Sequence, residues 1–267
     1  MPVESVNGIN LNYEDTGAGE PVVLVMGTGA SGRAWHLYQV PALVSAGYRV
    51  ITFDNRGIPP TDECAQGFTI DDLVADTAAL VEHLGLGPCR FAGVSMGAQV
   101  VQELMLVRPD LVRQGILMAT RGRSDAMRAA MAVAERALRD AGALPPPEYD
   151  AVVRAVQNLS PRTLNDDERV RDWLDLFEMA PSCRAPGVRA QVELDGFPSR
   201  LEAYRRISVP TLVIGFGDDL MLPPHLNREV ADAIPGARYE QIDDCGHYGY
   251  LERPEEVNTA MLKFFAQ

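Results

Sequence analysis

Eight short strand-like runs punctuate this chain, and their alternation with helical stretches is what most restricts the fold. Residues 3–6 and 9–13 flank Asn7-Gly8, a strong hairpin-turn signal, so an antiparallel pair opens the chain. After the turn at Gly17-Ala18-Gly19-Glu20, residues 21–25, 48–53, 89–92, 115–118, 211–214 and 238–242 read as strands buried on both faces. Between them lie amphipathic stretches of helical period at 36–46, 69–84, 98–107, 226–233 and 255–265. Thr69-Ile70-Asp71-Asp72 supplies an N-cap and an acidic first turn to the second of these. Alternation of this kind predicts an α/β fold: a mostly parallel sheet covered by helices on both faces.

The alternation is interrupted once. Residues 121–203 carry helical patterns only, at 124–141, 148–158 and 166–179, punctuated by Pro145-Pro146-Pro147, and strand pattern returns after Val209-Pro210. That return predicts an insertion covering one end of the sheet rather than a separate domain. The expected organisation is a core of residues 1–120 and 204–267 with a helical lid at 121–203.

Composition excludes several classes. A net charge of -13 gives no basic face for a nucleic-acid backbone or an anionic membrane, and the longest apolar runs, such as 22–26, are too short to span a bilayer. The start, Met1-Pro2-Val3-Glu4-Ser5, lacks a basic n-region and an apolar h-region, which makes a cytoplasmic location the expectation. Cys64, Cys89, Cys183 and Cys245 are widely spaced with no Cys-x-x-Cys pair, so reduced thiols are expected rather than a zinc site or a disulfide framework. Lys263 is the single lysine and lies in the last helical pattern, which disfavours a P-loop, a pyridoxal-phosphate Schiff base and a Ser-Lys dyad. No metal and no cofactor are expected: no ligand cluster stands out, and Gly27-x-Gly29 lacks the third glycine of a dinucleotide fingerprint.

The chemistry-bearing motif is Gly93-Val94-Ser95-Met96-Gly97, placed between the run at 89–92 and the helical stretch from Ala98. A serine there tips a sharp strand-to-helix turn, flanked by glycines that admit close backbone approach and backed by unpaired helix N–H groups. The plain alternative is a helix entry in which Ser95 only caps the first turn. A serine nucleophile also needs a base and a carboxylate to orient it. Of the four histidines His36, His83, His225 and His247, the last follows the final strand in Asp243-Asp244-Cys245-Gly246-His247 and is the best base candidate. The pair Asp218-Asp219 follows the strand at 211–214. Chain order is therefore Ser, Asp, His, each at the C-terminal end of a strand, where parallel sheets bind ligands.

With these residues the chain resembles the α/β-hydrolase superfamily over nearly its whole length, in the manner of serine esterases and thioesterases with a helical lid. The resemblance implies an eight-stranded sheet, Ser95 as nucleophile, His247 as base and Asp219 as acid by ungapped count from Pro210, with Asp218 as the possible alternative. It implies backbone oxyanion donors at Met96 and Thr28. Many relatives carry His-Gly where Met26-Gly27 stands here, a departure that removes a bracing side chain. Asp54-Asn55-Arg56-Gly57 matches the family's Asp-x-Arg-Gly loop, in which Arg56 orders loops, whereas Ile58-Pro59-Pro60-Thr61 departs from the commoner continuation.

The activity so implied is hydrolysis of an ester or thioester of a medium-sized hydrophobic acyl compound through an acyl-enzyme. Met26, Trp35, Trp173 and Phe177 are candidate pocket residues, although packing of the lid explains such side chains equally well. The same triad in relatives also serves carbon-carbon cleavage, perhydrolysis and cyclisation or elimination, and some relatives are small-molecule receptors with a silent triad. The expected partner is a small hydrophobic substrate, with no nucleic acid and no membrane span.

Overall fold

The computed structural model describes residues 3–142, 145–179, 186–194 and 198–267. Its eight strands are β1 (Val3–Val6), β2 (Ile9–Gly17), β3 (Glu20–Val25), β4 (Tyr48–Phe53), β5 (Cys89–Val94), β6 (Val112–Met118), β7 (Thr211–Phe216) and β8 (Arg238–Ile242). They form one sheet in the order β1-β2-β4-β3-β5-β6-β7-β8. β1 and β2 pair antiparallel around Asn7 and Gly8, whose positive φ values of 50° and 76° suit a two-residue hairpin. β2 also runs antiparallel to β4, and from there to β8 every pairing is parallel. The strand from Ile9 extends to Gly17 rather than stopping near Tyr13, because Tyr13 to Gly17 find ladder partners in β4 from Phe53 to Arg49.

Alternate residues of the buried strands feed opposite layers. Val23, Val25, Phe91, Leu117 and Val213 join one core with Leu73, Val74, Val100, Val101, Leu104 and Val230. Those helical residues come from α2 (Ile70–His83), α3 (Met96–Val107) and α10 (Pro224–Ala233). Val22, Leu24, Ala92, Ile116, Leu212 and Ile214 join the other core with Val40, Leu43, Val257, Met261 and Phe265. These come from α1 (Gln39–Ser45) and α12 (Pro254–Phe265). The inner strands β3 to β7 are apolar over most of their length because they have two dry faces, whereas β8, at the edge of the sheet, leaves Arg238, Glu240 and Gln241 exposed and so departs from the two buried faces expected of that run.

Thr69 begins α2 with a reciprocal capping box: its side chain accepts from Asp72 N, and the Asp72 carboxylate accepts from Thr69 N. Between β6 and β7 the described residues hold α4 (Ala126–Asp140), α5 (Pro147–Asn158), α6 (Pro161–Leu164), α7 (Asp167–Met179), α8 (Pro186–Glu193) and α9 (Leu201–Tyr204). α5 and α7 bury a small core of their own, with Ala151, Ala155, Leu159 and Phe177. The last short helix, α11 (Gly249–Glu252), follows β8. Among the described residues no helix is long and apolar enough to cross a membrane. Cys64, Cys89 and Cys245 are free thiols, and Cys183 lies outside the described residues.

Candidate active site

Ser95 joins β5 to α3 with φ 56° and ψ -120°, and its side chain makes no capping bond to the helix. It is therefore not an ordinary helix cap. A positive φ on a residue with a Cβ costs of order 1–3 kcal/mol, sustained by what surrounds it. Ser95 N donates to Met118 O of β6 at 3.0 Å, and Ser95 O accepts from Ala98 N and Gln99 N at 3.0 and 3.2 Å. The flanking glycines are steric requirements: a Cβ on Gly93 would lie 2.4 Å from Gly97 O, and one on Gly97 would lie 2.1 Å from Val25 O. Met96, directly after Ser95, is the first residue of α3, where a backbone N–H has no intrahelical acceptor.

The loop after β3 lies against the serine, since a Cβ on Gly27 would meet Ser95 Cβ at 3.3 Å. Met26 is buried, and its carbonyl accepts from Asn55 Nδ2 at 2.8 Å. Thr28, next along, is exposed. Asp54 anchors the neighbouring loop by accepting from Ser31 Oγ at 2.6 Å, Gly32 N at 2.9 Å and Asn12 Nδ2 at 2.6 Å. Arg56 forks onto Asp76 of α2 at 2.8 and 2.7 Å, a structural pairing away from any reacting atom.

Asp219 follows β7 and His247 follows β8. His247 Nδ1 donates to Asp219 Oδ2 at 2.8 Å, while Asp219 Oδ1 accepts from Met221 N and Leu222 N, each at 2.8 Å. The carboxylate is 2% exposed and the histidine 8%, so the pair is shielded from water that would weaken it. Nδ1 is taken up by the carboxylate, which leaves Nε2 as the ring nitrogen outside that bond. Asp219, not Asp218, thus meets the imidazole. Burial, followed by the neighbouring carboxylates Asp244, Glu252 and Asp243, pushes the Asp218 carboxyl above its ordinary value.

The strand ends share one edge through a relay of backbone bonds: Ser95 N to Met118 O, Ala119 N to Ile214 O, and Gly217 N to Ile242 O. The histidine loop is then tied to the helical segment. Tyr248 N donates to Asn158 O at 3.0 Å, and Gly246 N donates to Glu252 at 2.6 Å, a carboxylate that also accepts from Ser160 Oγ and Thr163 Oγ1 at 2.8 and 2.5 Å. The Tyr248 ring lies 6.0 Å from Trp173 and 6.2 Å from Phe177, centroid to centroid, bringing those two predicted pocket residues beside the histidine loop. Trp35 goes elsewhere. It is fully buried 5.0 Å from the Tyr250 ring, in the core layer shared with α1 and α12.

Two side chains near the edge carried no motif signal. Asn227 of α10 accepts from Thr120 N at 2.7 Å and donates to Leu222 O at 2.9 Å, bracing the loop that holds Asp219. Gln191 of α8 accepts from Gly29 N and donates to Arg56 O, both at 2.8 Å. Neither belongs to a local sequence pattern, and only the folded chain brings them to the site.

The fold and this edge define a class of enzyme. The model of the alpha/beta hydrolase family matches residues 22–260, and the chain belongs to that family. Its relatives include BpoC of Mycobacterium tuberculosis H37Rv, provisionally named a non-heme bromoperoxidase, which is 56% identical over 97% of this chain and 98% of its own length. The crystal structure of BpoC superposes with a TM-score of 0.94 over 97% of this chain and 96% of that one. An enol-lactonase from Burkholderia xenovorans LB400 is 27% identical, with a TM-score of 0.81 over the full length of both chains. A thermophilic esterase from Thermogutta terrifontis is also 27% identical, with a TM-score of 0.80 over 97% of this chain and 93% of that one.

Proposed function

We propose that this enzyme hydrolyses an ester or thioester of a medium-sized hydrophobic acyl compound through an acyl-enzyme on Ser95. The observation that carries the reading is the strained, uncapped Ser95 on the same sheet edge as the buried Asp219–His247 pair. Ser95 Oγ attacks the acyl carbon while His247 Nε2 takes its proton. Asp219 holds the tautomer and stabilises the imidazolium that forms. The oxyanion accepts from Met96 N–H and Thr28 N–H, each donor contributing roughly 3–4 kcal/mol. His247 returns its proton to the departing alcohol or thiol, and then deprotonates the water that releases the acid and restores Ser95.

The helices between β6 and β7 act as the lid in this account. Trp173 and Phe177 of α7 present aromatic surface beside Tyr248, which favours an apolar acyl chain over a charged one. The enol-lactonase and esterase relatives add support for acyl-oxygen cleavage.

The bromoperoxidase name of the 56% identical relative favours a second outcome of the same intermediate. Hydrogen peroxide in place of water gives a peracid and free Ser95; the peracid then passes an oxygen to bromide, leaving carboxylate and hypobromous acid. Turnover of a p-nitrophenyl ester series, with and without peroxide and bromide, tests both. Wild type is expected to hydrolyse short and medium chains, and Ser95→Ala to lose about 10⁴-fold or more in kcat. Full activity in Ser95→Ala on every accepted ester contradicts the reading. Bromination that requires both peroxide and an acyl donor identifies the perhydrolytic branch.

A further inference from the structure

Residues 27–30 form a turn closed by Ala30 N–H to Gly27 C=O at 3.4 Å, with Gly29 at φ 73°. A positive φ at the third residue is what a type II turn requires, and types I and II differ by a flip of the peptide between the second and third residues. Here that peptide is Thr28–Gly29. Its N–H donates to Gln191 Oε1 at 2.8 Å, and Gln191 Nε2 in turn donates to Arg56 O at 2.8 Å. Gln191 is 2% exposed, so both bonds are sheltered from competing water.

α8 is seated closely enough to make this a fixed strut. A Cβ on Gly187 would lie 2.4 Å from Gly57 Cα and 2.5 Å from Glu63 O, so the helix backbone rests on the loop after β4. Val188 Cγ1 is 3.5 Å from the position of a Cβ on Gly29. Residues 187, 188 and 191 share one helical face, and that face meets both loops at once.

We infer that Gln191 is a positioning residue for the oxyanion site: by tying Gly29 N–H to the Arg56 carbonyl it fixes in place the 27–30 turn that carries Thr28 N–H, and makes that donor depend on docked α8. The assignment rests on the serine-hydrolase reading above. In the Gly27–Thr28 peptide the carbonyl turns inward to Ala30, so the trans N–H of Thr28 faces the opposite way. Without Gln191 the turn loses its tie to the loop after β4 and Thr28 N–H is no longer held in one position, a loss felt more in the transition state than in ground-state binding.

The test measures p-nitrophenyl butyrate hydrolysis and inhibition by butylboronic acid, whose tetrahedral serine adduct places a hydroxyl where the oxyanion forms. Gln191→Met, of similar length and without either hydrogen bond, is expected to lower kcat about 10- to 100-fold with KM changed less than about 3-fold. The boronate is expected to bind weaker by a similar factor. Gln191→Glu keeps an acceptor for Gly29 N–H and is expected to recover at least about 3-fold of the lost kcat, which a role in packing alone does not predict. Methionine and glutamate variants that lose equally, or a folded methionine variant within about 3-fold of wild-type kcat, overturn the assignment while leaving the hydrolase reading intact. A wild type that neither hydrolyses the ester nor binds the boronate overturns both.

Discussion

At Ser95 the backbone itself favours a nucleophile over a cap. Its φ of 56° is tolerated because the Met118 carbonyl, the start of α3 and the glycines at 93 and 97 hold it from all sides. Asp219 has both carboxylate oxygens engaged, one by two backbone N–H groups and one by His247. Asp219→Asn is expected to keep the loop but reverse the imidazole tautomer, lowering kcat by up to about 10⁴-fold in ester turnover assays. Its neighbour behaves oppositely. The raised carboxyl of Asp218 means that the folded state disfavours the charged form, so its contribution to stability is lost as pH rises from the ordinary value of 3.8 through the folded value. Asp218→Asn should therefore melt higher than wild type at neutral pH, with the gain vanishing as pH falls below 3.8, measured as Tm across a pH series. The placement of Ser95, the aspartate pair and His247 just beyond the ends of strands was legible in the sequence because each lies between a strand-like run and a turn or helix signal. The roles within the pair rest on which side chain turns inward, and adjacent identical residues carry no periodic sign of that.

Elements transmit these constraints. α3 enters so close to β3 that Gly97→Ala would set a Cβ 2.1 Å from Val25 O, a contact with backbone that no side-chain rotation relieves. Chemical denaturation of Gly97→Ala is expected to show a loss of at least about 1–3 kcal/mol, together with lost activity as Ser95 shifts. The cap of α2 is more local: Thr69→Ala removes the reciprocal bonds with Asp72 and should cost about 1 kcal/mol without affecting turnover. β5, β7 and α2 could be read from composition because burial on two faces, or a cap followed by a 3.6-residue period, leaves a local imprint. α8 could not. Its buried face includes Gly187, Val188 and Gln191, and that face meets loops more than a hundred residues away in sequence, contacts that no local pattern records.

Across the whole molecule, the six parallel strands β3 to β8 end at one edge of the sheet, and the helical segment between β6 and β7 is hydrogen-bonded to loops at that edge. That segment is joined to the edge by Tyr248 N to Asn158 O, by Glu252 gathering Gly246, Ser160 and Thr163, and by Gln191 on the loop after β3. In the proposed mechanism, nucleophile, acid and base therefore lie in loops that follow strands of the sheet, with the helical segment bonded beside them. The parallel order was predictable from alternation of strand and helix, whereas substrate identity depends on side chains converging from separate helices and has no linear signature. The most direct test of the central claim is intact-mass analysis of wild type and Ser95→Ala after exposure to a fluorophosphonate, which reports an activated serine without knowledge of the substrate. A single covalent adduct is expected on wild type and none on Ser95→Ala; an unmodified wild type, or an adduct that persists in the alanine variant, would rule out an activated Ser95.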